Sequence, residues 1–227
     1  MYNKQSMKKV FLLIMFFSLG TCFQMVMAQK LEKMNWFNEP DKWEIKNQTF
    51  SMYAPAKTDY WRISHYGFTV DDAPFYYGLY GGEFEVKVKI RGEYRTTFDQ
   101  MGLMIRIDHK NWIKAGVEFV DGKHNVSTVV THNTSDWSVV ELEKAPREIW
   151  MKAVRRRDAL EVYYSFDDRN YKMIRTCWLE DNCPVMVGMM AASPDGEGFK
   201  AVFENFKVTP LPDIRRLEWA EKQKTAQ

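Results

Sequence analysis

Between residues 99 and 137 the chain spaces eight side chains suited to gripping a polar, ring-shaped ligand: Asp99, Gln100, Arg106, Trp112, Lys114, Glu118, Asp136 and Trp137. Carboxylates, an amide and two cations supply hydrogen-bond donors and acceptors, and the indoles add apolar faces with one polar edge. Sugar rings offer the complement, apolar C–H faces edged by hydroxyls. The chemistry these types point to is therefore non-covalent carbohydrate binding. Asp99, Glu118 and Asp136 also admit a glycoside hydrolase or lyase, since glycosidic cleavage uses two carboxylates at a defined separation. The sequence sets no such distance. The acidic strand pattern Glu-x-Asp-x-Glu is missing, with Glu83-x-Glu85 and Glu141-x-Glu143 as two-member versions. Neither a Gly-x-Ser-x-Gly elbow, a P-loop nor a dinucleotide fingerprint occurs, and no catalytic residue is assigned. The plain alternative makes Trp112 and Trp137 ordinary sandwich residues and pairs Lys114 with Glu118 across a solvated face.

Strands must position these groups. From residue 43 to 208 the pattern is β throughout, clearest over 83–90, where Phe84, Val86, Val88 and Ile90 alternate with Glu83, Glu85, Lys87 and Lys89. Further strands are predicted at 102–108, 112–120, 125–131, 137–142, 148–155, 160–166, 171–178, 185–192 and 199–208. Short polar connections such as Asp121-Gly122-Lys123 suit hairpins, and no long amphipathic helix intervenes, so an antiparallel sandwich is expected. Period-two sorting puts Leu103, Ile105, Ile113, Ala115, Val117 and Phe119 in the core. It gathers Arg106, Trp112, Lys114 and Glu118 on the opposite face, with Asp99-Gln100 and Asp136-Trp137 at its margins.

The ends of the chain read differently. Lys8 and Lys9, an apolar run over 10–19 and Val26-Met27-Ala28 predict a signal peptide over residues 1–28, leaving a sandwich domain over 29–209. Cys22 after Leu19-Gly20-Thr21 offers a lipid anchor as the lesser alternative. Removing Lys4, Lys8 and Lys9 from 32 basic residues leaves 29 against 30 acidic ones, a net charge of −1. A near-neutral domain gives no electrostatic case for nucleic acid or an anionic membrane, and no later segment is apolar enough to span a bilayer. The expected location is periplasmic or extracellular. Arg155-Arg156-Arg157 reads as a solvated turn, and residues 210–227 as a charged tail or short helix begun by Asp213. Cys177 and Cys183 fit either a disulfide or two half-buried thiols. Four scattered histidines make no zinc signature, and Asp71-Asp72, the one calcium candidate, reads as an exposed loop. No metal and no cofactor is expected.

The runs DQMGLM (99–104), NWIKAGVE (111–118) and SDWS (135–138) resemble the core motifs of a domain-of-unknown-function family of concanavalin A-like β-sandwiches, which includes a yeast protein described as a regulator of enolase. VGMMAAS (187–193), Gly198-Phe199 and FENF (203–206) are similar to its closing strands and to accessory sandwiches of some xylan-degrading enzymes. The resemblance runs from about residue 36 to 208 and implies a jelly-roll fold. It also implies one polar groove formed by all eight side chains. It carries no established activity, and the yeast relative adds a protein-interaction module as a further alternative.

Overall fold

The computed structural model describes residues 31–225; the leader expected over 1–28 and the lipidation alternative at Cys22 lie outside them. The concanavalin A-like antiparallel sandwich is the fold observed. Strands are numbered along the chain. One seven-stranded sheet runs, in spatial order, β1 (Asn35–Phe37), β6 (Phe75–Tyr80), β15 (Val185–Ala192), β8 (Gln100–Arg106), β9 (Asn111–Val120), β10 (Lys123–His132) and β11 (Thr134–Glu141). The other runs β14 (Lys172–Trp178), β13 (Ala159–Ser165), β12 (Ile149–Arg156), β7 (Phe84–Gly92), β16 (Phe199–Pro210), β3 (Thr49–Ala54) and β2 (Trp43–Lys46).

The alternating residues of β7 and β12 turn Val86, Val88, Ile90, Met151 and Ala153 toward Leu103, Ile105, Ile113 and Val117 of the first sheet, and these form the main core. Burial in β7 alternates as its sequence does. In β8 every residue is buried, because something also covers the outer face of its sheet.

That cover is a small hairpin, β4 (Tyr60–Arg62) with β5 (Thr69–Asp71), which lies on the outer face as a flap. Tyr60, Trp61, Phe75, Met104, Trp112, Val129 and Met190 make a second hydrophobic cluster beneath it. The flap's turn places Ile63, His65 and Gly67 at φ of 64°, 64° and 76°. Gly67 adopts this region freely, whereas the β-branched Ile63 does so only under strain. The sequence reading placed no strand here, since three-residue strands show no period.

Under the flap, Gly102 and Gly116 face each other across β8 and β9. A Cβ on either would overlap the neighbouring strand's backbone, so only glycine allows this approach. Their bareness leaves a dip in the outer face between Lys114 and Glu118.

The arginine run is no solvated turn. Arg155 is buried and donates to the carbonyls of Cys183 and Glu180, at 3.0 and 2.7 Å. Arg156 pairs with Glu83 at 2.7 Å, and Arg157 with Glu218 at 2.6 Å. The last of these holds the C-terminal helix α1 (Ile214–Thr225), which buries no side chain. Cys177 and Cys183 are free thiols, and burial pushes the Cys177 thiol up to about 11.

Candidate functional site

At one end of the flap the outer face opens into a cavity of about 250 Å³. Its floor is polar: Gln100 from β8, Lys114 and Glu118 from β9, and Asp59 at the foot of the flap. Its walls are aromatic: Trp61, Tyr66 and Phe68 from the flap, Phe98 from the loop before β8, and Trp137 from β11. Pro194 and Asp195 complete the rim. Tyr66 stacks on Phe68 at 5.6 Å and meets Trp61 edge-on at 5.6 Å; across the opening, Phe98 meets Trp137 edge-on at 6.4 Å.

Register explains why the floor converges. Gln100 lies opposite Glu118, and Lys114 opposite Val129, which in turn lies opposite Trp137. Directly opposed residues share a face, so all five project outward together. Lys114 Nζ donates to Asp59 Oδ1 at 3.1 Å and to the Tyr60 carbonyl at 2.7 Å. Gln100 Nε2 donates to the same Asp59 oxygen at 3.3 Å and to the Phe98 carbonyl at 3.2 Å. The Trp137 indole Nε1 donates to Glu118 Oε2 at 2.9 Å and to Ser127 Oγ at 3.1 Å.

Glu118 is buried, and desolvation holds its carboxyl above the ordinary range. Lys114 and the hydrogen bonds from Ser127 and Trp137 pull the other way, without restoring it. The Lys114–Glu118 ion pair of the plain alternative does not form; Lys114 pairs with Asp59.

Four of the eight sequence candidates, Gln100, Lys114, Glu118 and Trp137, meet in this cavity; four do not. Asp99 is fully buried on the side away from Gln100, because neighbours along a strand point to opposite faces. It accepts from the backbone of Arg95 and Thr96 at 2.8 and 2.9 Å and from Ser193 Oγ at 2.5 Å. Asp99 thereby ties together the two loops that carry Phe98 and Asp195. Asp136 is turned from Trp137 for the same reason and pairs with Arg175 of the other sheet at 2.6 Å. Arg106 lies on the outer face but under the flap, where it grips Asp71 with two bonds of 2.6 and 2.7 Å beneath the Phe37 ring. Trp112 is 1% exposed and packs edge-on against Tyr60, so its faces meet protein.

Asp59, Trp61, Tyr66, Phe68, Phe98, Pro194 and Asp195 were missed by the sequence reading. The aromatic density of residues 60–68 was the signal available for the flap. The calcium candidates are both engaged, Asp71 by Arg106 and Asp72 by the Asp59 amide at 2.9 Å. Among the described residues no group of three or more His, Cys, Asp or Glu is placed to hold a metal ion. Among them, too, no helix is long and apolar enough to cross a membrane.

Comparison with known proteins agrees with this architecture. Regulation of enolase protein 1 of Saccharomyces cerevisiae is 31% identical over 180 residues, covering 79% of this chain and 91% of the yeast protein. A crystal structure of a functionally unknown protein from Saccharomyces cerevisiae matches with a TM-score of 0.77 at 32% identity, over 81% of this chain and 100% of the other. A GH43 protein from Bacillus licheniformis shares the fold alone, with a TM-score of 0.64 at 13% identity, over 81% of this chain and 38% of its own. The model of a family described as "Protein of unknown function (DUF1349)" matches residues 36–211, and the chain belongs to that family.

Proposed function

We propose that this protein binds one sugar unit of a glycan non-covalently in the cavity beside the flap. The observation that carries the reading is the meeting of a polar floor, Asp59, Gln100, Lys114 and Glu118, with the rings of Trp61 and Trp137 on a cavity of about 250 Å³. That volume lies just below the range typical of drug-sized ligands, which suits a single pyranose or furanose ring. Trp61 and Trp137 stack on the ring's C–H faces, and the floor bonds to its hydroxyls. A glycan screen tests this with wild type and Trp61→Ala. Saturable binding that falls at least about tenfold in the variant supports it, and a folded wild type that binds no sugar overturns it.

One observation favours a second reading. Asp59 adjoins Lys114, while Glu118 is held toward its protonated form by burial and, in part, by the charge of Asp59. Two carboxyls with diverging environments are what a glycoside hydrolase uses as base and acid. This pairing replaces those drawn from Asp99, Glu118 and Asp136. It predicts release of reducing sugar from oligosaccharides, abolished in Glu118→Gln while binding persists.

Our reading also places the protein outside the cytoplasm, supported by the basic and apolar pattern of its first 28 residues. N-terminal sequencing of protein expressed from the whole reading frame tests this: a start at Gln29 is expected, and a retained leader contradicts it.

A further inference from the structure

The hydrogen-bonding valences left open in the cavity are lopsided. Gln100 spends its amide donors on Asp59 and Phe98, leaving its carbonyl oxygen as an acceptor. Trp61 and Trp137 spend their indole N–H groups on the Ser64 carbonyl and on Glu118 with Ser127. Two of the three Lys114 donors go to Asp59 and Tyr60. What stays open on the donor side is one Lys114 N–H and the Tyr66 hydroxyl. On the acceptor side stand the Glu118 carboxylate, Asp59 Oδ2, the Gln100 carbonyl and the Asp195 carboxylate, whose neighbour Lys57 bonds to the Asp195 backbone carbonyl at 2.6 Å instead.

The charges lean the same way. Asp59 and Asp195 outnumber Lys114, which is already paired, and an ammonium nearby would favour the ionised form of Glu118 that burial disfavours, so the lining leans acidic. Five aromatic rings surround this acidic floor, and their negative faces attract cations and give anions nothing. A carboxylated or sulfated sugar would meet repulsion from both layers. A neutral sugar could fill the acceptors through its hydroxyls but would bring no charge to set against the carboxylates, and an acetylated amine would lose that charge and bring a further acceptor in place of two donors.

Resting on the carbohydrate reading above, we infer that the sugar this cavity selects carries a free ammonium group, as in a 2-amino-2-deoxyhexose or a de-N-acetylated glycan. The ammonium supplies three donors and no acceptor, sits among the ring faces, and turns toward Glu118 and Asp195. The sugar hydroxyls take the Gln100 and Asp59 acceptors.

Calorimetric titration of the folded protein tests this with glucosamine and galactosamine, their N-acetyl forms, the parent neutral hexoses and glucuronate. The amino sugars are expected to bind about tenfold or more tightly than the neutral and acetylated forms, with glucuronate weakest. Asp195→Asn, at an exposed position, should narrow that preference severalfold, with circular dichroism reporting that the fold is kept. Glu118→Gln should narrow it further, with circular dichroism reporting that the fold is kept. Raising salt should shrink the Asp195 contribution first, since that carboxylate faces solvent. Equal binding of amino and neutral sugars, or a preference that survives both substitutions, overturns the inference and leaves the carbohydrate reading in place. Tetramethylammonium binding with no sugar binding overturns both.

Discussion

Replacing Trp137 with Phe isolates one interaction at the cavity floor. The substitution keeps an aromatic ring on β11 and removes the N–H that Glu118 Oε2 and Ser127 Oγ share at 2.9 and 3.1 Å. A hydrogen bond to an ionised acceptor is worth about 1.5–3 kcal/mol, and one to a neutral acceptor about 0.5–1.5 kcal/mol. The cost of the substitution should therefore depend on whether Glu118 is charged. Burial raises the folded pKa of Glu118 above its unfolded value. The stability this group contributes is accordingly complete below the ordinary carboxylate range and is lost as pH rises through the folded value. Removing a donor to the charged form raises the folded pKa further, so the loss deepens and ends at higher pH. Urea unfolding of wild type and Trp137→Phe at pH 4 and pH 8 reads this directly. The destabilisation should be larger at pH 8, by about 1–1.5 kcal/mol. The cavity left by the smaller ring costs the same at both pH values and cancels in the difference. A pH-independent penalty would refute the claim that the indole supports a buried, titrating carboxyl.

Glu118→Gln removes the titration itself, so its stability relative to wild type should climb as pH rises from about 4.5, measured by thermal unfolding across pH 4–8. Arg106→Met breaks the buried pair with Asp71 and frees one foot of the flap; it should cost about 3 kcal/mol and speed amide exchange over residues 59–71. Gly116→Ala drives a Cβ into the backbone of β8 and should destabilise by about 1–3 kcal/mol in chemical denaturation, or prevent folding outright.

The sandwich was legible because most of its strands carry their own period. The clean alternation of β7 announces a half-buried strand, and the expected limits 185–192 coincide with β15. Three of the four floor residues were legible for the same reason: Gln100, Lys114 and Glu118 follow from which face each residue of β8 and β9 occupies. The same rule argues against Asp99 and Asp136, since adjacent residues cannot share a face with Gln100 and Trp137. Illegible was the flap. Its strands are too short to show a pattern, and its position depends on bonds between residues far apart in the chain, Lys114 to Asp59 and Arg106 to Asp71. Without it, Arg106 and Trp112 read as open surface, and Asp59, Trp61, Tyr66 and Phe68 have no reason to be near Glu118.

On this reading a sugar occupies the space between Trp61 and Trp137 above Glu118. Nitrogen-15 correlation spectra of the eight tryptophan indoles, assigned by single substitution and recorded through a sugar titration, address it most directly. Saturable shifts of the Trp61 and Trp137 indole signals are expected, with Trp112, sealed beneath Tyr60, following weakly or not at all. Binding that moves other indoles while leaving Trp61 and Trp137 unchanged would place the sugar elsewhere and rule out this cavity as its site.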